Sequence, residues 1–267
     1  MELHVGSPVV RGGLTVFPVF SGEARLAGGY EIGVGLEVAE RSGTPVVGEV
    51  VVTNPGHRPA LLAEGQLLEG GLQHRVVTRA AMIAPRSSQV VEVRCVEEGR
   101  WAGDGALRQG DRAPVSVRAA KDQREVWRRV SRYGGSATRS LLETSAVRRA
   151  EAARLVEGIH PAPFQSGVLI GVGGHPVWLE VYDVPGILAF VWDRLLGGLA
   201  LDAVGAAPIE TPGRRARRFV GTLPTPEPDA VGRAEGRTHW TRLTALHWRG
   251  RAVQTVAVNR VHPLVAL

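Results

Sequence analysis

One cysteine, Cys95, stands in a chain of 267 residues. It excludes an intramolecular disulfide and every zinc site built on C-x-x-C, and it fits a reducing, cytoplasmic setting. There is also one lysine, Lys121, and it precedes Asp122 rather than Ser or Thr, so the G-x-x-x-x-G-K-[ST] phosphate loop is missing. H-E-x-x-H is missing too, and no metal-binding motif remains. No apolar run reaches the length of a membrane helix. The best stretch, Val184 to Ala207, carries Asp193, Arg194 and Asp202, charges that an ordinary span excludes. The opening Met1-Glu2-Leu3-His4-Val5 has neither the basic nor the apolar segment of a secretory signal.

What is present is globular: 44% apolar and 22% charged residues, with 34 Gly and 17 Pro to make tight turns. The length suits one large domain or two packed halves, and we expect a single compact unit. The net charge of +6 is local. Thr211 to Leu267 carries ten Arg against three acids, so the rest of the chain is close to neutral.

The first third reads as strands. Leu14–Phe20 and Gly48–Asn54 are apolar or β-branched, and the second ends at the turn pair Pro55-Gly56. Val90–Val96 alternates, with Val91, Val93 and Cys95 on one face and Glu92 and Arg94 on the other. Such spacing predicts an antiparallel, sandwich-like layer in the N-terminal half. The middle turns helical. Gln123–Val130 puts Val126, Trp127 and Val130 on one face, and Ser145 can cap a helix running to about Glu157. Val168–Ile170 and Val177–Tyr182 flank Gly173-Gly174 as a hairpin. Asp183 and Pro185 then open a helix whose buried stripe is Leu188, Val191, Trp192, Leu195 and Leu199. Residues 211–230, rich in Pro and Arg, read as a mobile loop, followed by a strand pair over Thr238–Trp248 and Ala252–Val258. The fold class is α+β.

Two glycine-rich stretches fail their motifs. Gly171-Val172-Gly173-Gly174 joins two strands and opens no helix, so it is no dinucleotide fingerprint. Gly134-Gly135-Ser136-Ala137-Thr138 misses the nucleophile elbow at its last residue. Cys95 and Arg100 lie five apart with Glu97 and Glu98 between them. A cysteine-phosphatase loop needs six and small residues, and two carboxylates would repel the phosphate.

The densest polar cluster is Glu64 to Arg75 together with Glu97 to Trp101. Glu97 and Glu64 are candidate general bases. Gln73, His74, Arg75, Arg100 and Trp101 are candidate ligand contacts, the two guanidinium groups for phosphate or carboxylate and the indole for stacking on a base. The same residues can instead hold the fold together, with Glu paired to Arg and Trp101 in the core. Nothing in the sequence names a cofactor.

At these residues the chain resembles a known family. The run Gly48–Asn54, Ala60–Gly65, Leu68, Gly70-Gly71, Gln73 and Arg75, followed by Cys95-Val96-Glu97-x-Gly99-Arg100-Trp101, is similar to the ARG and Rhodanese-Phosphatase-superfamily-associated protein domain. In that title ARG stands for ADP-ribosylglycohydrolase. Gln123-x-x-Val126-Trp127, Ser136-x-Thr138, Glu180-Val181-Tyr182-Asp183, Trp192-x-x-Leu195-Leu196 and Asp202-Ala203 continue the match over roughly residues 10 to 260. Many relatives carry Asp or Asn where His74 stands. The resemblance implies a connection to ADP-ribose or NAD metabolism, and hence a nucleotide-phosphate ligand. The alternatives are a non-catalytic protein-interaction module and, third, nucleic-acid binding through Arg214, Arg215, Arg217 and Arg218 with Trp240 and Trp248. The bland reading of that third case is a solvated loop and two core tryptophans.

Overall fold

The structure is a computed structural model. It describes residues 3–22, 30–33, 35–43, 45–134, 139–182 and 184–221, and the backbone alone of 231–235, 240–248 and 251–261. Ser136, Thr138, Asp183 and the side chains of Trp240 and Trp248 lie outside the described residues. The chain divides into two compact units, Gly29–Ala150 and a second made of Met1–Gly28 with Glu151–Leu267.

The strands, in chain order, begin with β1 (Leu3–Val5), β2 (Val9–Arg11) and β3 (Leu14–Ser21). Nine follow: β4 (Glu31–Ile32), β5 (Glu37–Glu40), β6 (Glu49–Asn54), β7 (Ala60–Leu62), β8 (Gln66–Gly70), β9 (Arg75–Val77), β10 (Ala81–Ile83), β11 (Ser87–Cys95) and β12 (Ala106–Arg112). Helices α1 (Val115–Arg118), α2 (Gln123–Val130), α3 (Leu141–Thr144) and α4 (Ala146–Val156) come next. Then come the hairpin β13 (Gly167–Val172) and β14 (His175–Tyr182), helices α5 (Pro185–Ala200) and α6 (Gly213–Gly221), and strands β15 (Val231–Glu235), β16 (Trp240–Trp248) and β17 (Arg251–Val261).

In the unit Gly29–Ala150 six strands pair antiparallel as expected, but they close on themselves. The order β11-β6-β5-β12-β8-β9 is a barrel, shut by Cys95 of β11 pairing with Arg75 of β9, where the sequence suggested a sandwich-like layer. Closure removes the unpaired edges that an open layer would expose. A small sheet, β10-β7-β4, accompanies it. The barrel core is aliphatic: Val38, Val50, Val52, Leu68, Val77, Val91, Val93 and Leu107 form one buried cluster. Strand alternation carries those inward rows to one rim, where the next inward positions are Glu40 after Val38, Arg75 before Val77 and Cys95 after Val93. The barrel therefore ends in a polar layer.

The other unit is built on a sheet ordered β1-β3-β13-β14-β17-β16-β15, with β2 beside β3. The hairpin turns at Gly173 and Gly174, both at positive φ (55° and 86°), the geometry a two-residue turn requires. Leu14–Phe20 does not join the N-terminal layer; β3 pairs with β13 along six residues. One face, with Phe17, Val19, Leu169, Leu179 and Val181, packs against Ala216, Phe219 and Val220 of α6. The other face buries Glu180, whose carboxylate accepts hydrogen bonds from Trp178 Nε1 at 3.0 Å and from the Tyr182 hydroxyl. In α5 Leu188, Trp192, Leu195 and Leu199 of the predicted stripe are buried while Val191 is only half-buried, and Trp192 Nε1 donates to the Ile159 carbonyl at 2.7 Å.

The helix α6 corrects the expected loop over 211–230. Ala216, Phe219 and Val220 follow the i, i+3, i+4 spacing of a helix lying on a sheet, which outweighs Pro212 and Gly213 at its start. Arg214, Arg215, Arg217 and Arg218 fall on the exposed side. Residues 222–230 lie outside the described residues. Among the described residues no helix is long and apolar enough to cross a membrane.

Candidate functional site

The polar rim of the barrel gathers the ends of β5, β8 and β11 and the starts of β9 and β12. Arg75 lies at its centre, with 0% exposure. Its Nη1 donates to Gln73 Oε1 at 2.9 Å and its Nη2 reaches Glu40 Oε1 at 3.4 Å. Burial lowers the Arg75 pKa, and the Glu40 carboxylate opposes that shift. Two atoms of the pair, Arg75 Nε and Glu40 Oε2, are sealed from solvent with no hydrogen-bond partner.

Glu97 follows β11 and is 5% exposed. Its two oxygens have different environments. Oε2 accepts from Arg100 Nε at 2.7 Å and from the His74 backbone N–H at 3.1 Å. Oε1 accepts no hydrogen bond among the described residues. The Glu97 carbonyl meanwhile accepts from Gln73 Nε2 at 3.3 Å. Segment 139–141 laces onto this turn: Leu141 N–H donates to the Val96 carbonyl at 2.9 Å, Glu97 and Ser140 form an isolated bridge, and Arg139 pairs with Glu98 at 2.6 Å. The Ser140 hydroxyl is buried without a partner.

Arg100 is committed to the chain itself. Besides Glu97, its Nη1 donates to the carbonyls of Gly71 (2.9 Å) and Ala102 (2.6 Å), and its Nη2 to that of Gly70 (3.1 Å). Those carbonyls are reachable because Gly70 and Gly71 adopt positive φ, 103° and 57°. A Cβ on Gly70 would come within 2.7 Å of the Ala106 carbonyl oxygen.

His74 completes the turn. Gly70 N–H donates to Nδ1 at 2.9 Å, so the neutral ring carries its proton on Nε2, which lies 3.7 Å from Glu97 Oε2. Burial pushes the imidazole below its ordinary pKa, Glu97 opposes this and Arg100 adds to it. A lowered pKa means that the native state favours the neutral ring. His74 therefore contributes stability that is present above about pH 6.5 and is lost as the pH falls through its native value. We expect the melting temperature to fall more between pH 7 and 5 for the parent than for His74→Gln; equal slopes would remove His74 from this account.

Trp101 is 46% exposed and does not fill the core; its ring lies over the Arg75 guanidinium, 5.6 Å from centroid to carbon. Cys95 does behave as a core residue. It is fully buried, its thiol donates to the Glu97 carbonyl at 2.9 Å, and the Gln123 side chain brackets its backbone N–H and carbonyl at 2.9 and 2.7 Å. Burial pushes the thiol pKa up, against the hydrogen bond with Glu97, so a thiolate nucleophile is disfavoured. Native protein should resist alkylation by iodoacetamide and react on unfolding in urea; rapid native labelling would contradict this placement.

The sequence cluster thus divides. Gln73, His74, Arg75, Glu97, Arg100 and Trp101 converge on one rim. Glu64, buried in the turn between β7 and β8, lies at the opposite rim, where Gly65 N–H bonds to the Val77 carbonyl. The five residues of β8 separate it from the others by about 15 Å, so Glu64 and Glu97 cannot share one reaction. Glu40, Ser140 and Gln123 were not foreseen. For Glu40 the alternation Val38-Ala39-Glu40 was a usable signal. Among the described residues no group of three or more His, Cys, Asp or Glu is placed to hold a metal ion.

No curated protein and no solved structure matches the chain. A family model does match, over residues 2–258, and the turn and rim residues just described fall within it. The chain belongs to the ARPP-1 family, the ARG and Rhodanese-Phosphatase-superfamily-associated Protein domain.

Proposed function

We propose that the barrel rim around Glu97 and Trp101 binds a nucleotide-type ligand of the ADP-ribose or NAD-derived class. The observation that carries the reading is the asymmetry of Glu97. A nearly buried carboxylate is held rigidly through Oε2 while Oε1 carries no hydrogen bond among the described residues, four positions before a half-exposed indole. That is a preorganised acceptor beside a stacking surface. The association of the family with ARG proteins supports the ligand class. If the protein also processes its ligand, Glu97 Oε1 is the general base on this rim, with the His74 Nε2 proton nearby.

A second reading, a non-catalytic interaction module, draws on the internal engagement of Arg75 and Arg100, which is what a purely structural cluster would show. A thermal-shift panel of ADP-ribose, its phosphorylated forms, NAD, simple nucleotides and divalent metals separates the two. A ligand at 100 times its Kd adds about 2.7 kcal/mol to the native state. A shift with ADP-ribose-type ligands supports the site, and a flat panel supports the interaction module.

A further inference from the structure

The geometry points to recognition of the nucleoside end of the ligand, with the phosphates left outside the rim; this assignment rests on the nucleotide-site reading above. Arg75 and Arg100 are the guanidinium groups at the rim that would be expected to hold phosphate, and both are largely engaged within the chain. Arg75 is sealed beneath Trp101 and paired with Glu40. Arg100 spends four of its five N–H donors on Glu97 and three backbone carbonyls. Each of these three cations is matched by a carboxylate, Arg75 by Glu40, Arg100 by Glu97 and Arg139 by Glu98, so among the described residues they offer a phosphate no unmatched positive charge.

The groups left open suit the other end of a nucleotide. Glu97 Oε1 is an ionic acceptor that wants an O–H or N–H donor and repels phosphate oxygens. A ribose hydroxyl is such a donor, and a fixed acidic side chain is a common way to hold one. The exposed face of Trp101 offers a platform for the base. The aromatic ring and the acceptor come from one short segment, Glu97 to Trp101, which the Arg100 clamp holds in a single shape. The rim is thus selective for hydroxyl and base, and the charge on the attached phosphates contributes little.

The test is calorimetric titration of the full chain with ADP-ribose, adenosine, 2′,3′-dideoxyadenosine and inorganic pyrophosphate, at low and moderate salt. Adenosine should bind and compete with ADP-ribose, while pyrophosphate should not compete. Loss of the hydroxyls, or Trp101→Ala, should each weaken adenosine binding about tenfold or more. Affinity should change little with salt. Binding of ADP-ribose that pyrophosphate displaces and adenosine does not would overturn the nucleoside assignment and leave the nucleotide site standing. Absence of binding by ADP-ribose and adenosine alike would overturn both.

Discussion

Replacing Arg75 by alanine is expected to destabilise the barrel by about 3–5 kcal/mol, the largest effect of any change at the rim. The reason is what stays behind. Glu40 loses its cation in a site where its side chain is 6% exposed, and Oε2 already has no partner there. Gln73 loses the donor to its Oε1 as well. Against a total stability of about 5–15 kcal/mol, such a loss shifts the melting temperature by roughly 10 °C or more. Removing both charges is a different matter. Arg75→Met combined with Glu40→Leu continues the aliphatic rows of Val77 and Val38 into the rim, and should recover most of the loss. Urea unfolding of both single variants and the double variant gives the coupling. A double variant as damaged as the sum of the singles would mean that the pair is not the unit described here.

The second large effect concerns Glu97, because its two oxygens are assigned different tasks. Glu97→Gln weakens the charge-assisted hydrogen bond to Arg100 and should cost about 1–3 kcal/mol, at the lower end because Arg100 is a third exposed. It should also abolish the ligand-induced shift, since the charge on Oε1 is gone. Arg100→Ala breaks the same pair from the other side. It lowers stability by a comparable amount, yet leaves the carboxylate and Oε1 in place. A melting temperature reduced in both variants, with the ligand response abolished in Glu97→Gln and weakened but still present in Arg100→Ala, separates structural Oε2 from ligand-facing Oε1. Loss of the response in both would merge the two roles.

Much of the fold was legible wherever a period runs long enough. The alternation of Val91, Val93 and Cys95 correctly placed the inner face of β11, and the helix over Gln123–Val130 matches α2, capped by Asp122 through the Glu125 N–H. What failed was non-local. The pairing of β3 with β13 joins segments about 150 residues apart, and barrel closure depends on Cys95 meeting Arg75; no local pattern encodes either. The misread of α6 came from weighing Pro212 and the arginines above the spacing of Ala216, Phe219 and Val220. The two polar segments grouped in the sequence, Gln73–Arg75 and Glu97–Trp101, come together on one rim. Their roles were not legible, because hydrogen-bond saturation is a property of three dimensions. Arg100 reads as a phosphate clamp in sequence and closes on backbone carbonyls in the fold, and Glu64 reads as a neighbour of Glu97 and sits at the far rim.

The most direct test of the central claim, that this rim is a ligand site and not only a device that closes the barrel, is the melting temperature of Trp101→Ala with and without ADP-ribose. The ring is half exposed over a buried guanidinium and its cation–π contact is worth about 1–2 kcal/mol, so the free variant should melt within several degrees of the parent. The account predicts that this folded protein has lost its response to ADP-ribose. A full response in the variant, or a parent with none, would contradict it.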